Sequence, residues 1–164
     1  MEIAGTRFGT VHFDEQRTIT LPGGLIGFSQ ERRFILLEPP PGGIVAALQS
    51  LTTPELAFPI VAGVAFGDDY PSPDARELGR RAQLLRTPED KLAVFVVVAA
   101  QKPSGRIANL LAPIVINIDT RTGAQIVLDP DVYSAATPFE MRRTETSTAP
   151  RPRAETVTAT HPET

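Results

Sequence analysis

Few side chains in this sequence are placed to do covalent chemistry. Histidine occurs at positions 12 and 161, and only His12 falls in the apolar-patterned part of the chain. On a strand it faces away from its neighbours Val11 and Phe13. A lone histidine without an oriented partner makes a poor general base. Cysteine is absent, which removes thiolate nucleophiles, disulfides and cysteine-ligated metal. No glycines stand at G-x-G spacing, and the phosphate-loop, H-E-x-x-H and G-x-S-x-G patterns are missing. The acids come in pairs: Asp14 with Glu15, Asp68 with Asp69, Glu89 with Asp90, and Asp129 with Asp131. None has the spacing that gathers about six oxygens around a hard cation. Neither catalysis, metal binding nor a cofactor is expected. What remains is recognition: Asp68-Asp69-Tyr70 reads as an exposed tyrosine beside two acids, suited to a basic partner. Arg76, Arg80 and Arg81 read as the solvated face of a helix.

The elements that would position these residues are short and mostly extended. Ile3, Phe8, Val11 and Phe13 sit among polar residues, with Gly9 placed as a bulge would be. Asp14 to Arg17 then reverses the chain into Thr18–Leu21, predicting a hairpin. Pro22-Gly23-Gly24 ends that strand, and Ser29 is placed to cap one helical turn. Further strands are expected over 34–37, 44–51 and 56–62, with Pro59 demoting the last to an edge or a bulge. Ser72 and Pro73 should open a helix over 74–85, with Ala75, Leu78, Ala82 and Leu85 on one face. Thr87-Pro88-Glu89-Asp90 repeats that cap-then-proline start. Leu92–Ala100 and Ile114–Ile118 are apolar on both faces, the pattern of strands covered on both sides. Ala124–Leu128 returns after a reversal at 119–123. About eight short strands and one short helical insertion near residues 73–91 make an all-β barrel or sandwich.

The chain has 164 residues and a net charge of −3. Composition changes after Phe139. Residues 140–164 are rich in Thr and Pro with little to bury, so a domain over 1–139 and a disordered tail over 140–164 are expected. The tail holds four Arg and four Glu and is neutral on average, which leaves the −3 with the domain. Such a balance suits an acidic protein with a basic partner rather than a nucleic-acid binder. The start lacks a signal-peptide pattern, and no apolar run reaches membrane-spanning length. An intracellular chain is expected.

Several strings in order then resemble one family. They are Thr6-Arg7-Phe8-Gly9, Gly24-Leu25-Ile26-Gly27-Phe28 and Arg33-Phe34-Ile35-Leu36-Leu37-Glu38. Leu48-Gln49-Ser50-Leu51, Pro54-Glu55-Leu56-Ala57-Phe58 and Thr87-Pro88-Glu89-Asp90 follow. The series ends with Asn109-Leu110-Leu111-Ala112-Pro113-Ile114-Val115-Ile116-Asn117 and Thr120 to Leu128. Together, from about residue 3 to 138, they are similar to the flagellar assembly factor FliW family. The resemblance implies a small cytoplasmic β-barrel-like protein without catalytic activity, cofactor, membrane or direct nucleic-acid contact. It implies binding to the RNA-binding translational repressor CsrA, which relieves repression of flagellin synthesis. It also implies binding to flagellin as the competing partner. The partner surface is expected at Asp68, Asp69 and Tyr70, with Gln49, Glu55 and Asn109 behind them. Ile44, Val45, Ala46 and Ala47 are small where the family often has large aromatics, and Val64-Ala65-Phe66-Gly67-Asp68 is poorer in Phe than the family's segment there. They motivate an alternative, a flagellin-specific chaperone without repressor binding. A small-ligand barrel would instead need a polar-lined cavity.

Overall fold

The computed structural model describes residues 1–70, 73–100 and 105–139, without the side chains of Asp68 and Asp69. The expected tail, 140–164, lies outside the described residues, as do Pro71 and Ser72. The strands among the described residues are β1 (Glu2–Thr6), β2 (Gly9–His12), β3 (Ile19–Thr20), β4 (Arg33–Leu37), β5 (Ala46–Ser50) and β6 (Ala57–Ala62). They continue with β7 (Leu92–Ala100), β8 (Arg106–Ala108), β9 (Ile114–Asn117), β10 (Thr122–Gln125) and β11 (Thr137–Phe139). One α-helix, α1 (Ala75–Arg81), stands between β6 and β7.

Strands β7-β6-β5-β4-β3-β10-β9 pair in sequence, and β9 pairs back onto β7, closing a ring of seven. Closure works because β7 is long. Its first half, Leu92–Phe95, pairs with β9, and its last residues, Val98–Ala100, pair with β8. Strand β8 in turn carries β11. Most rungs are antiparallel, but β10 and β3 meet in parallel at Thr122 and Thr20.

The two-residue period of the strands fills the ring. Ile19, Phe34, Leu36, Ala46, Leu48, Phe58, Ile60, Phe95, Val97, Ile114 and Ile116 alternate inward and form one cluster with Leu21 and Leu25. Among the described residues the inward side chains of this cluster are apolar, which does not suit the polar lining that a small-ligand barrel needs. The outward residues of the same strands are also apolar, and each patch has its own cover. The β1–β2 hairpin lays Ile3, Phe8, Val11 and Phe13 over Ile35, Leu37 and Ala47. Helix α1 brings Leu78 and Ala82, with Leu84, over Leu92, Val94 and Val115. A third cover, Phe66, Tyr70, Tyr133 and Phe139, seals Val61, Val96 and Val98. This double burial explains why β9 is buried at every residue.

Several local expectations need correction. The N-terminal hairpin is β1 with β2, turning at Arg7-Phe8, and β3 pairs instead with β4 and β10. Asp14 caps the intervening 3-10 turn through a 2.9 Å bond from the Gln16 N–H, and this turn moves the chain from the outer layer into the barrel. The bulge falls between Ile3 and Thr6 on β1, where Gly5 has φ 81°, rather than at Gly9. Ser29 lies in a turn and starts no helix. Strand β6 is flanked on both sides, but its pairing with β7 begins at Ile60, so Pro59 meets no registered β7 partner. The helix spans 75–81 rather than 74–85. Asp74, not Ser72, caps it by accepting the Arg76 N–H at 3.0 Å.

Asp90 sits in a turn beside that helix. The residue is 6% exposed, and its carboxylate accepts the Arg86 N–H at 2.7 Å, the Thr87 N–H at 3.0 Å, the Thr87 hydroxyl at 2.9 Å and the Asn117 amide at 2.9 Å. Asn117 also donates to Leu84 O and accepts the N–H groups of Asp119 and Thr120, joining the helical cover to the β9–β10 turn. The backbone N–H groups of Arg86 and Thr87, then Asn117, hold the Asp90 carboxyl well below the ordinary carboxylate range. A depressed folded value means that its contribution to stability is complete above the unfolded value and is lost as protons are taken up below it. Urea midpoints should therefore fall between about pH 5 and pH 2. Asp90→Asn should start lower at pH 7 and show a shallower acid limb. An unchanged acid limb would exclude Asp90 as its source.

Candidate functional site

The connections after β3, β5 and β10 gather at one end of the barrel because these three strands run the same way, and the β8–β9 connection joins them because β9 starts there, with Ile114 paired to Gln125. Within this end the 21–32 loop keeps two large apolar side chains outside, as the connection after β10 does with Val127 and Val132. Residues 18–30 contain no charged side chain. Leu25 is 4% exposed and joins the barrel core, whereas Ile26 is 59% and Phe28 is 42% exposed. A tight turn places them there. Leu25 and Phe28 form an isolated antiparallel bridge, and Gly24 and Gly27 adopt φ values of 68° and 83°, which glycine adopts at little cost.

Three further attachments fix the loop. The Ile26 N–H donates to Gln125 Oε1 at 2.8 Å, and Gln125 Nε2 donates to Ala112 O at 2.9 Å. The Phe28 ring meets Phe58 edge-on, with centroids 5.0 Å apart. Glu31 turns inward to 9% exposure, where the Ser50 hydroxyl donates to Oε1 and the Thr53 hydroxyl donates to Oε2 at 2.7 Å. Ser50 Oγ also accepts the N–H groups of Thr52 and Thr53 at 3.0 and 2.9 Å, so the loop and the 51–56 turn are fastened together.

The residues chosen from sequence divide between this end and the outer wall. Gln49 is fully buried on β5, and its Nε2 donates to the carbonyls of Ser50, Pro54 and Leu56. It shapes the turn that exposes Glu55 and offers no surface itself. Asn109 Oδ1 accepts the N–H groups of Leu111 and Ala112, both at 3.1 Å, and so shapes the β8–β9 connection. Tyr70 is elsewhere, at the end of the Gly63–Asp69 3-10 segment that leaves the opposite end of β6. The expectation of an exposed ring is corrected: Tyr70 is 2% exposed, edge-on to Phe66 and Tyr133 at 6.0 and 5.6 Å. The Asp68 and Asp69 side chains lie outside the described residues.

Burial, followed by the neighbouring Tyr133, pushes the Tyr70 phenol up to about 12. Its hydroxyl has no hydrogen-bond partner among the described residues. Removing an unpaired buried hydroxyl while keeping the ring should be neutral or stabilising by up to about 1 kcal/mol. Tyr70→Phe should therefore match or exceed the wild-type urea midpoint. A loss above about 1 kcal/mol would assign the hydroxyl a structural bond.

Sequence reasoning missed Ile26, Phe28 and the Gln125 brace. An uncharged run holding three glycines among apolar residues was the available signal, but alone it reads as an ordinary strand stop. The small residues at 44–47 take a different meaning in the fold. Val45, Ala46 and Ala47 are 5%, 7% and 2% exposed and belong to three separate packed clusters, so they do not form a partner surface.

Comparison with known proteins gives a consistent assignment. The family model described as FliW protein matches residues 2–139. The flagellar assembly factor FliW of Bdellovibrio bacteriovorus is 37% identical over 129 residues, covering 78% of this chain and 73% of that protein. The protein of the same name from Natranaerobius thermophilus is 34% identical over 140 residues, covering 85% and 92%. A crystal structure of the flagellar assembly factor FliW superposes with a TM-score of 0.71 at 28% identity, over 84% of this chain and 96% of that one. With this sequence match and this fold, the chain belongs to the FliW family.

Proposed function

We propose that this chain is a flagellar assembly factor that acts by binding rather than by catalysis. In this reading it sequesters a CsrA-type translational repressor in the cytoplasm and so relieves repression of flagellin synthesis. Flagellin is the competing ligand, which makes the level of unexported flagellin the signal. The observation that carries the reading is the family match across residues 2–139, with relatives named as flagellar assembly factors. The net charge of −3, with a tail that contributes none of it, suits a basic RNA-binding partner by charge complementarity. Among the described residues no helix is long and apolar enough to cross a membrane. The chaperone-only alternative stands on two departures; Val45, Ala46 and Ala47 of the first are buried, whereas Val64 of the second, 64–68, is 86% exposed, so it is kept as the second reading.

The test is calorimetric titration of the full chain with the host's CsrA-type protein, followed by addition of flagellin. Repressor binding that flagellin reverses is the expected result. Flagellin binding without repressor binding would leave a chaperone, and silence toward both would overturn the reading.

A further inference from the structure

The two partners named above call for different chemistry, and the exposed loop at the barrel end suits only one of them. A basic RNA-binding protein is best met by carboxylates. The stretch from Thr18 to Gln30 carries no charge of either sign, and its exposed large side chains are Ile26 and Phe28. Exposed apolar side chains held in one geometry lose little entropy when a partner covers them, which is how binding anchors act. Here the geometry is set by two positive-φ glycines, by the Leu25–Phe28 bridge and by the brace from Ile26 N–H to Gln125 Oε1 at 2.8 Å. Leu25 and Phe58 anchor the loop to the barrel core from below.

We infer that Ile26 and Phe28 form the docking surface for flagellin, and that they receive an apolar face of the unassembled subunit. This rests on the function proposed above. A subunit destined for a polymer carries apolar surface that is buried only after assembly, and such surface calls for an uncharged, apolar cover meanwhile. The missing carboxylate decides between the partners: Glu31 is buried, and the exposed charge at the end of the loop is Arg32, whose Nε donates to Ser29 O at 3.3 Å. Attraction between opposite charges weakens with added salt, whereas apolar burial persists. Flagellin binding at this loop is therefore salt-tolerant, and repressor binding uses other, charged surface.

The experiment compares the full chain with Ile26→Ser and with the double variant Ile26→Ser/Phe28→Ala, titrated separately with flagellin and with the CsrA-type protein at low and high salt. Circular dichroism melts confirm that each variant is folded; Ile26→Ser alone removes only a protruding side chain and keeps the backbone bond to Gln125. Flagellin affinity is expected to fall about tenfold or more in the double variant, with a smaller loss for Ile26→Ser. Repressor affinity should stay within about twofold, the usual result for changes outside an interface. Unchanged flagellin affinity would overturn the inference while leaving the proposed function intact. Equal losses for both partners would also overturn it, since the loop would then be a shared surface. A wild-type chain that binds no flagellin would instead remove the underlying reading, and the inference with it.

Discussion

Phe34→Ala should destabilise the domain by about 3–5 kcal/mol, the range for truncating a fully buried aromatic. Phe34 is wholly inaccessible and points into the ring from β4, between Ile19 of β3 and Ser50 of β5 in register. Its ring meets Phe58 edge-on at 6.2 Å, and Phe58 in turn supports Phe28 at the barrel end. A closed sheet cannot collapse onto the void as two packed layers can, because each strand is held on both sides by its neighbours. The cavity therefore persists, and the penalty belongs at the upper part of the range. Urea unfolding followed by circular dichroism measures it, since the chain has no tryptophan to report. A loss below about 1.5 kcal/mol would imply an interior loose enough to accept the change. That outcome would revive a ligand-holding barrel.

Much of this ring was readable from periodicity. The Leu92–Ala100 strand occurs at its expected limits, and Ile114–Asn117 is buried on both faces, as its β-branched run implies. The pairing of β3 was not readable. Its two residues carry no register information, and its partners come from Arg33 and Thr122, which are far apart in sequence. The helix ends were not readable because Ser72 and Asp74 are both competent caps, and the chain leaves the helix through Gln83 at φ 59°, a conformation its residue type does not announce. The candidate site was less legible than the fold. Tyr70 follows two acids, which suggests exposure. It is instead drawn under the outer wall by ring contacts with residues at 66 and 133. Ile26 and Phe28 are ordinary core residues by type. Their exposure is a product of backbone geometry at two glycines, and type alone cannot report that.

Gly24→Ala tests that geometry with the second large effect. At φ 68° an alanine costs roughly 1–2 kcal/mol from the clash of its Cβ with its own backbone. The surroundings add more, because a Cβ built there lies 2.6 Å from Phe28 O and 2.7 Å from Ser29 Cα and C. These are backbone atoms, so no rotamer change relieves the overlap, and forced backbone shifts cost roughly 1–3 kcal/mol. Part is offset by the lower unfolded entropy of alanine, about 0.4–1 kcal/mol. A net loss of about 2–4 kcal/mol is expected in urea unfolding. Gly27→Ala supplies the control. Its φ of 83° is equally left-handed, but a Cβ there meets nothing within 4 Å, so it should cost only about 1 kcal/mol. Equal losses at the two positions would mean that φ alone sets the cost and that the close approach at Gly24 is relieved freely. The distinction matters for binding. Phe28 O also accepts the N–H groups of Leu25 and Glu31 at 3.2 and 3.0 Å, so moving it disturbs both the bridge and the descent of Glu31 toward Ser50. Gly24→Ala should consequently speed hydrogen exchange at the Ile26 amide and weaken flagellin binding more than Gly27→Ala does. Both glycines shape the turn that exposes Ile26 and Phe28, and Gly24 alone is also closed in by backbone atoms.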